Sequence, residues 1–372
     1  MQGASAVRDR ISKCAAAMIV VGTAGCPSAQ TAPASPSPAP VASTPAPLPA
    51  DCGAPHGVFS VSTALAAPDH DCSPWLKRTV GRVLRSGGMS GVVWTTDVEA
   101  EVGILLSAVH TLGEGWFARA GQVAPVTLKD PSEGSGVVRL ELPTATGELS
   151  GTQAPLFMMF QPGIPAEQTG DKLHRIEPRH DFFVAAMDGQ RFPLGGDGNH
   201  LGAAAGPLQS TPPQLSDPDG LLGRSHRDAK PGERVLMLGY PNHGPHAGKL
   251  AGSVGVVLDA GQVHGAMEEL RAAGDEEGNL AYAPEVEHIV RGTAVPGMSG
   301  GGVFDVDGHL VGVLVRGSTE TQPPGYVRFV RLSFITGELS AAISALPDAS
   351  RKALARYLPA ALTAPTAAPA PE

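Results

Sequence analysis

The chain has 372 residues, of which 27 are Lys or Arg and 36 are Asp or Glu, and its formal net charge at pH 7 is −9. An acidic chain without a run of Lys or Arg argues against binding to nucleic acid or to an anionic membrane surface. Once its Pro- and Ala-rich ends are set aside, enough chain remains to bury the core of two β-barrels that share an interface.

The first 25 residues have the pattern of a secretory signal. Three basic residues precede an apolar stretch from Cys14 to Gly25, which is too short to span a bilayer. The ending Thr23-Ala-Gly-Cys26 resembles a bacterial lipoprotein signal, in which Cys26 is lipidated and becomes the first residue of the mature chain. We therefore expect export and anchoring to the cell envelope, with ordinary secretion or a periplasmic protein as the alternative. Contact with a membrane is expected only through this lipid.

Residues 26–55 follow as a predicted disordered tether, because most of the segment alternates Pro with small residues and cannot bury a core. A folded domain is expected over residues 56–345. Cys52 and Cys72 lie at its entrance. In an oxidising compartment they could form a disulfide that closes a loop of about 20 residues and contributes roughly 3 kcal/mol. The alternative is a pair of unpaired thiols.

From residue 79 onward, short apolar segments broken by Gly, Pro and Asp are typical of an all-β fold. We assign a first barrel to about residues 79–190, a linker to 191–227 and a second barrel to about 228–336. The first barrel is predicted from Gly91–Trp94, Val102–Leu106, Val137–Leu142, Leu156–Phe160 and Phe182–Met187. The second is predicted from Val235–Leu238, Ser253–Leu258, His288–Val290, Val303–Phe304, Leu310–Val315 and Tyr326–Val330.

No metal site or cofactor is predicted. Gly195 to His200, inside the linker, has some features of a cation-binding loop, but it also reads as a flexible connector. His243 and His246 lie among turn-forming residues that would not fix two metal ligands. After the second barrel, apolar residues at near-helical spacing over Glu338–Tyr357, interrupted at Pro347, predict a C-terminal helix. Residues 346–372 contain the end of this helix and a disordered tail.

Two motifs in the first half could supply an acid–base pair. An apolar run ends in Ser107-Ala-Val-His110, which predicts a buried strand that delivers an imidazole to a short turn. Asp181 precedes the apolar segment Phe182–Met187 and places a carboxylate at the start of a strand. Each residue alone could equally be structural.

A third motif, in the second half, surrounds a serine with glycines. In Gly297-Met-Ser299-Gly-Gly, the glycines allow a sharp turn that directs backbone N–H groups into one small cavity. The Asp307–Gly308 pair between two apolar runs then predicts a β-hairpin. In the α/β-hydrolase elbow the serine leads into a helix, and the acid and histidine follow it in the chain. Here a hairpin follows and the better acid and base candidates lie upstream, which favours an architecture with the order His, Asp, Ser.

Together these motifs resemble the trypsin-like (chymotrypsin-fold) serine endopeptidases, particularly their bacterial members. The order His110, Asp181, Ser299 is the one found in that family. A fourth segment, Val235–Pro241, resembles the strand and Gly-Tyr-Pro turn that open the second barrel. The resemblance covers roughly residues 80–345. It implies an all-β fold of two six-stranded antiparallel β-barrels with a C-terminal helix, and an active site in the cleft between the barrels.

The resemblance also implies roles for individual residues. Ser299 would be the nucleophile, His110 the general base, and Asp181 the group that orients the imidazole. The N–H groups of Gly297 and Ser299 would form the oxyanion hole. The strand that contains Val315, Arg316 and Gly317 would pair with the backbone of a protein or peptide substrate.

Two departures from the family carry information. Thr293 occupies a position that is often acidic in trypsins, which argues against a preference for Lys or Arg and favours a small or medium apolar side chain. Met298 replaces an aspartate that animal digestive members use in zymogen activation, so that switch should be absent.

Serine endopeptidase activity through an acyl-enzyme is thus the expected function. Two alternatives share the fold: a catalytically silent module that binds peptides at a surface, and an esterase.

Overall fold

The structure is a computed structural model that describes residues 57–67, 72–86, 89–97, 102–112, 126–128, 137–143, 149–165, 168, 176–188, 228–319 and 325–354. All of them lie in the compact unit Ala46–Glu372. Several predicted features lie outside the described residues: the signal with Cys26, the tether, Cys52, the linker with its Gly195–His200 segment, and the tail after residue 354.

The N-terminal half folds into one antiparallel sheet. Its strands are β2 (Val83–Ser86), β3 (Met89–Asp97), β4 (Val102–Ser107), β5 (Val126–Leu128), β6 (Val137–Pro143), β7 (Leu149–Phe160) and β8 (Phe183–Asp188). The spatial order is β5-β7-β6-β2-β3-β4-β8, and β7 also pairs with β8. Six strands therefore form a closed ring, and β5 adds to its outside.

The C-terminal half forms a second sheet of the same kind. Its strands are β1 (Phe59–Ser60), β9 (Arg234–Gly239), β10 (Ala251–Val257), β11 (Glu287–Gly292), β12 (Gly302–Phe304), β13 (Leu310–Gly317) and β14 (Gly325–Arg331). The order is β1-β10-β11-β14-β13-β12-β9, and β10 also pairs with β9. Here too six strands close on themselves, while β1 is contributed from the start of the described chain.

The helices lie around these sheets: α1 (Val61–Ala66), α2 (Ser73–Thr79), α3 (Ala260–Ala272), α4 (Leu332–Ser344) and α5 (Asp348–Leu354). A capping box starts α3, in which the Asp259 carboxylate accepts the Gln262 N–H and the Gln262 side chain accepts the Asp259 N–H. The helix α4 packs against β13 and β14 of the C-terminal sheet. Its Phe334 ring also meets that of Phe182, just before β8, edge to face with centroids 6.0 Å apart. No helix of the described residues is long and apolar enough to cross a bilayer.

One hydrophobic cluster joins the two sheets. Its members include Val92, Phe160 and Phe182 from the N-terminal half and Leu236 and Phe304 from the C-terminal half, all of them buried. Shared apolar burial of this extent opposes separation of the halves. The halves are therefore held against each other along a common face.

The mainly β architecture agrees with the prediction, and the structure extends most predicted strands by one to seven residues. Three short strands, β1, β2 and β5, were not predicted. The predicted hairpin at Asp307–Gly308 joins β12 to β13, and Gly308 adopts a φ of 84°, which explains the glycine. The C-terminal helical segment begins at Leu332, six residues before the predicted start, and ends its first part at Ser344, before Pro347.

Candidate active site

Strand pairing brings His110 and Asp181 together. His110 lies in a short 3₁₀ turn that follows β4, and Asp181 lies just before β8. These strands are antiparallel neighbours, with Ser107 opposite Phe183. The turn after one strand therefore meets the residue before the other.

The contact between the two side chains is short and oriented. The His110 Nδ1 atom lies 2.8 Å from Asp181 Oδ2 and 3.0 Å from Oδ1, and the backbone N–H of His110 donates to Oδ1 at 2.9 Å. The Asp181 side chain is fully buried, whereas that of His110 is 26% exposed. With Nδ1 engaged by the carboxylate, Nε2 is the ring nitrogen free to act on a substrate or a nucleophile.

Ser299 lies in the tight turn between β11 and β12. Its hydroxyl donates to the backbone carbonyl of Val315 at 3.3 Å. Within the described part of the chain no hydrogen bond joins this hydroxyl to His110. Rotation about the Ser299 Cα–Cβ bond is therefore needed before the imidazole can take its proton.

The turn around Ser299 presents two N–H groups. A trans peptide directs its N–H opposite to its C=O. The carbonyl before Gly297 accepts the N–H of Asn242 at 2.9 Å, and the carbonyl before Ser299 accepts the N–H of Gly301 at 2.9 Å. The N–H groups of Gly297 and Ser299 consequently point away from those partners, and neither has a backbone acceptor among the described residues. Both are available to stabilise an oxyanion.

Only glycine fits at three places in this turn. At Gly301 an added Cβ would lie 2.0 Å from the Leu238 carbonyl oxygen. Gly297 has a φ of 96°, and a Cβ added there would lie 2.4 Å from the Asn242 nitrogen. Gly300 has a φ of 85°, and a Cβ there would lie 2.1 Å from Ser107 Oγ and 3.1 Å from the Ala108 nitrogen. Because Ser107 and Ala108 immediately precede the His110 turn, this close approach places the serine turn against it.

Sequence reasoning missed a buried serine that connects the two sheets. Ser90, on β3, donates from its hydroxyl to the Gly297 carbonyl at 2.7 Å and accepts the Tyr240 N–H at 2.7 Å. The Ser107 hydroxyl in turn donates to the Ser90 carbonyl at 2.6 Å. Nothing in the local sequence around Ser90 indicates this role, since both partners lie far away in the chain.

The predicted substrate-binding strand extends beyond its pairing with β12. That pairing ends at Val313, while the pairing of β13 with β14 continues to Gly317. The segment Val315–Gly317 therefore lies past the end of β12, where the Val315 carbonyl accepts the Ser299 hydroxyl. An extended peptide could add there as a further strand.

The predicted side-chain pocket is narrow. A Cβ added at Gly317 would lie 3.3 Å from the Ala294 Cβ atom, so the two segments that would form the pocket walls leave little space between them at this level. Thr293 contributes a buried hydroxyl without a hydrogen-bond partner in the described residues, and its carbonyl accepts from Ser253 Oγ at 2.6 Å. No charged group of Thr293 could attract a basic substrate side chain.

A group of buried charges lies behind the substrate-binding strand. Arg328, on β14, has its Nε atom 3.2 Å from Glu287 Oε2 and its Nη1 atom 3.7 Å from Glu277 Oε2. Burial raises the pKa of Glu287 to about 7, although Arg328 opposes the shift. Burial also raises the pKa of Glu277, against the effects of Arg316 and Arg328. The charged forms of Glu277 and Glu287 are thus favoured by the neighbouring arginines and opposed by burial.

Three side chains that could ligate a metal ion lie close together in the β12–β13 turn. Carboxylate and imidazole atoms of Asp305, Asp307 and His309 lie within 4.8 Å of one another. The Asp305 side chain accepts the N–H groups of the other two residues, so the group stabilises the β12–β13 turn.

Cys72 is fully buried and disulfide-bonded. The predicted partner, Cys52, lies outside the described residues, so the pairing stays a prediction.

Comparison with known proteins identifies the class. Residues 160–313 match the family described as Trypsin-like peptidase domain. No curated protein matches the chain.

Similar solved structures include a mutant of Rv3671c from M. tuberculosis H37Rv in an inactive form, with 13% identity, a TM-score of 0.38, and coverage of 74% of this chain and 92% of that chain. The MamO protease domain from Magnetospirillum magneticum has 13% identity, a TM-score of 0.35, and coverage of 70% and 97%. The scabies mite inactivated protease paralogue S-D1 has 14% identity, a TM-score of 0.40, and coverage of 69% and 87%.

The match over residues 160–313 agrees with the family that the sequence motifs predict. The fold is chymotrypsin-like. The roles assigned above to single residues stay predictions.

Proposed function

We propose that the protein is a serine endopeptidase that cleaves peptide bonds through an acyl-enzyme at Ser299. The observation that carries the proposal is the buried Asp181 carboxylate bound to both the Nδ1 and the backbone N–H of His110. This arrangement fixes the ring and leaves Nε2 as the proton acceptor. A serine hydroxyl needs such an oriented base to take its proton before it can act as a nucleophile.

The chemistry follows from the positions of these groups. The Ser299 hydroxyl turns from the Val315 carbonyl to His110, gives its proton to Nε2 and attacks the substrate carbonyl. Asp181 stabilises the imidazolium, while the N–H groups of Gly297 and Ser299 hold the oxyanion. The imidazolium then protonates the leaving amine, and water, deprotonated by the same ring, releases the acid and restores the serine.

A peptide substrate would add along Val315–Gly317, past the end of β12. The small space between Gly317 and Ala294, where an added Cβ would lie 3.3 Å from the Ala294 Cβ atom, favours a small side chain next to the cleaved bond. The neutral Thr293 does not favour Lys or Arg. Cleavage of a peptide library by the purified chain would test this. Enrichment of Ala, Ser or Val before the cleaved bond is expected, and enrichment of Arg, Lys or aromatic residues would contradict it.

The decisive test is labelling with a fluorophosphonate probe, which reacts only with an activated serine. Intact mass should show one adduct on the wild-type chain and none on Ser299→Ala or His110→Ala. Ser62→Ala, an exposed hydroxyl on α1, is the matched control and should label normally. Absence of an adduct on a folded wild-type chain would reject the proposal.

One observation favours a second candidate function. Because the Ser299 hydroxyl is bonded to Val315 and not to His110, the site could hold a peptide uncut, as a surface binding module. Peptide binding without labelling would support that function. Labelling with hydrolysis of small esters, but without cleavage of unfolded protein, would instead indicate an esterase.

We also propose that the protein is exported and lipid-anchored through Cys26. The disulfide at Cys72 supports an oxidising compartment. The mass of the N-terminal peptide from the native host is the test. A peptide that starts at Cys26 with attached acyl chains is expected, and a start at Met1 would contradict export.

A further inference from the structure

Within the C-terminal half, an acidic turn packs against the substrate-binding strand. We define it as Asp275–Glu277, between α3 and β11. Asp275 is buried and its carboxylate accepts the N–H groups of Glu277 at 3.0 Å and of Thr319 at 2.7 Å. Since Thr319 follows Gly317 by two residues, the acidic turn fixes the chain just beyond the segment Val315–Gly317.

Glu277, the last residue of this turn, holds the side chain of Arg316. The distance from Arg316 Nε to Glu277 Oε1 is 2.6 Å, and the two side chains are 9% and 8% exposed. The pair is therefore well shielded from water. An ion pair in such a buried position is stronger than one at the surface. A buried guanidinium without such a partner would be strongly destabilised.

The same guanidinium reaches the other half of the molecule. Arg316 Nη1 donates to the carbonyl of Ile176 at 3.3 Å. Ile176 is buried and lies five residues before Asp181. Arg316 thus connects the acidic turn, the substrate-binding strand and the segment that leads to the catalytic carboxylate.

We propose that Glu277 is a positioning residue that holds Arg316 as a fixed brace across the cleft, so that Arg316 orders the substrate-binding strand and its charge does not select substrates. This inference rests on the proposed peptidase function. It separates two roles that an arginine on such a strand could have. A free guanidinium would bind acidic side chains of the substrate, whereas one already paired with Glu277 and Ile176 does not.

The test compares Glu277→Gln, Arg316→Gln and the control Glu276→Gln, which removes an exposed carboxylate from the same turn. Each variant is labelled with the fluorophosphonate probe, which reports on Ser299, His110 and the oxyanion hole but does not occupy the substrate-binding strand. Each is then assayed with peptides that span four residues before the cleaved bond, in matched pairs with Glu or Gln at one of the second to fourth of these residues. A short ester with one residue completes the set.

We expect both Glu277→Gln and Arg316→Gln to raise KM for the long peptides at least threefold. In Glu277→Gln the labelling rate and the turnover of the short ester should stay within twofold of wild type. Glu277→Gln alone should also gain a preference for Glu over Gln, of up to about fivefold, as expected for one partly exposed ion pair. Wild type and Glu276→Gln should show a ratio near one.

The outcomes are distinguishable. An unlabelled wild-type chain would reject the peptidase function itself. Normal labelling of Glu277→Gln with unchanged KM and no acidic preference would overturn the brace while leaving that function intact. A wild-type preference for Glu would also overturn it, because Arg316 would then be free. If Glu277→Gln does not fold, Arg316→Gln decides: an unchanged KM for long peptides overturns the proposal.

Discussion

Replacing Ser90 with alanine should destabilise the protein and slow the chemistry at Ser299. The substitution removes one hydroxyl and leaves two buried backbone groups, the Gly297 carbonyl and the Tyr240 N–H, without their partner. Each such group costs about 1–3 kcal/mol, so the expected loss of unfolding free energy is about 3 kcal/mol or more. For a domain of this size that corresponds to a fall in Tm of roughly 6–12 °C.

Urea unfolding followed by tryptophan fluorescence can measure this loss, because Trp75 and Trp94 are fully buried and report on the fold. The fluorophosphonate rate reports on the oxyanion hole, since the bond from Ser90 orients the peptide that follows Gly297. We expect labelling to slow about tenfold or more, up to the 10²–10³-fold that is typical for complete loss of one oxyanion donor. Ser62→Ala is the control and should change stability by less than about 0.5 kcal/mol. A loss under about 1 kcal/mol in Ser90→Ala with normal labelling would refute the reasoning.

Three further predictions concern single residues. Gly300→Ala should lower the unfolding free energy by more than about 3 kcal/mol, because a positive φ alone costs about 1–2 kcal/mol and the new Cβ would lie 2.2 Å from a backbone oxygen of β3. The control Gly265→Ala, at an open site on α3, should be neutral or stabilising. Equal effects of the two substitutions in urea unfolding would contradict this prediction. Met298→Ala should cost about 2–5 kcal/mol by leaving a cavity under the serine turn, and a loss below 1 kcal/mol would contradict it. Burial lowers the pKa of His288 to about 4, so the unfolded chain takes up this proton first as the pH falls, and between about pH 6.5 and 4 the wild type should lose stability relative to His288→Gln, by at most about 3 kcal/mol. Glu287, whose pKa burial raises to about 7, acts in the opposite direction in both proteins, so the difference between the two stability curves is the quantity to measure. His288→Gln should lose that slope, and a stability curve parallel to the wild type would contradict the assignment.

The sequence predicts strands well where burial is continuous. All six residues from Leu310 to Val315 are buried, and the apolar run alone identifies the strand. The hairpin at Asp307–Gly308 is predictable for a different reason, because the turn requires a positive φ that glycine adopts at little cost. Such local signals do not depend on distant parts of the chain.

The order of His110, Asp181 and Ser299 is also visible in the sequence, but the contacts that support the site are not. Ser90 meets Gly297 across 207 positions of the chain, and Arg316 meets Ile176 across 140. Neither pair has a local pattern, since each exists only through the packing of two sheets. The helix α3 is a different kind of miss, because its capping box from Asp259 to Gln262 was readable.

The fit of Gly300 against Ser107 and Ala108 has a consequence for the life history of the chain. The nucleophile and its base come from opposite halves, and the turn that carries the nucleophile takes its final shape only against the other half. In the proposed mechanism, a chain whose two halves have not yet docked would therefore hold all three side chains without a working site.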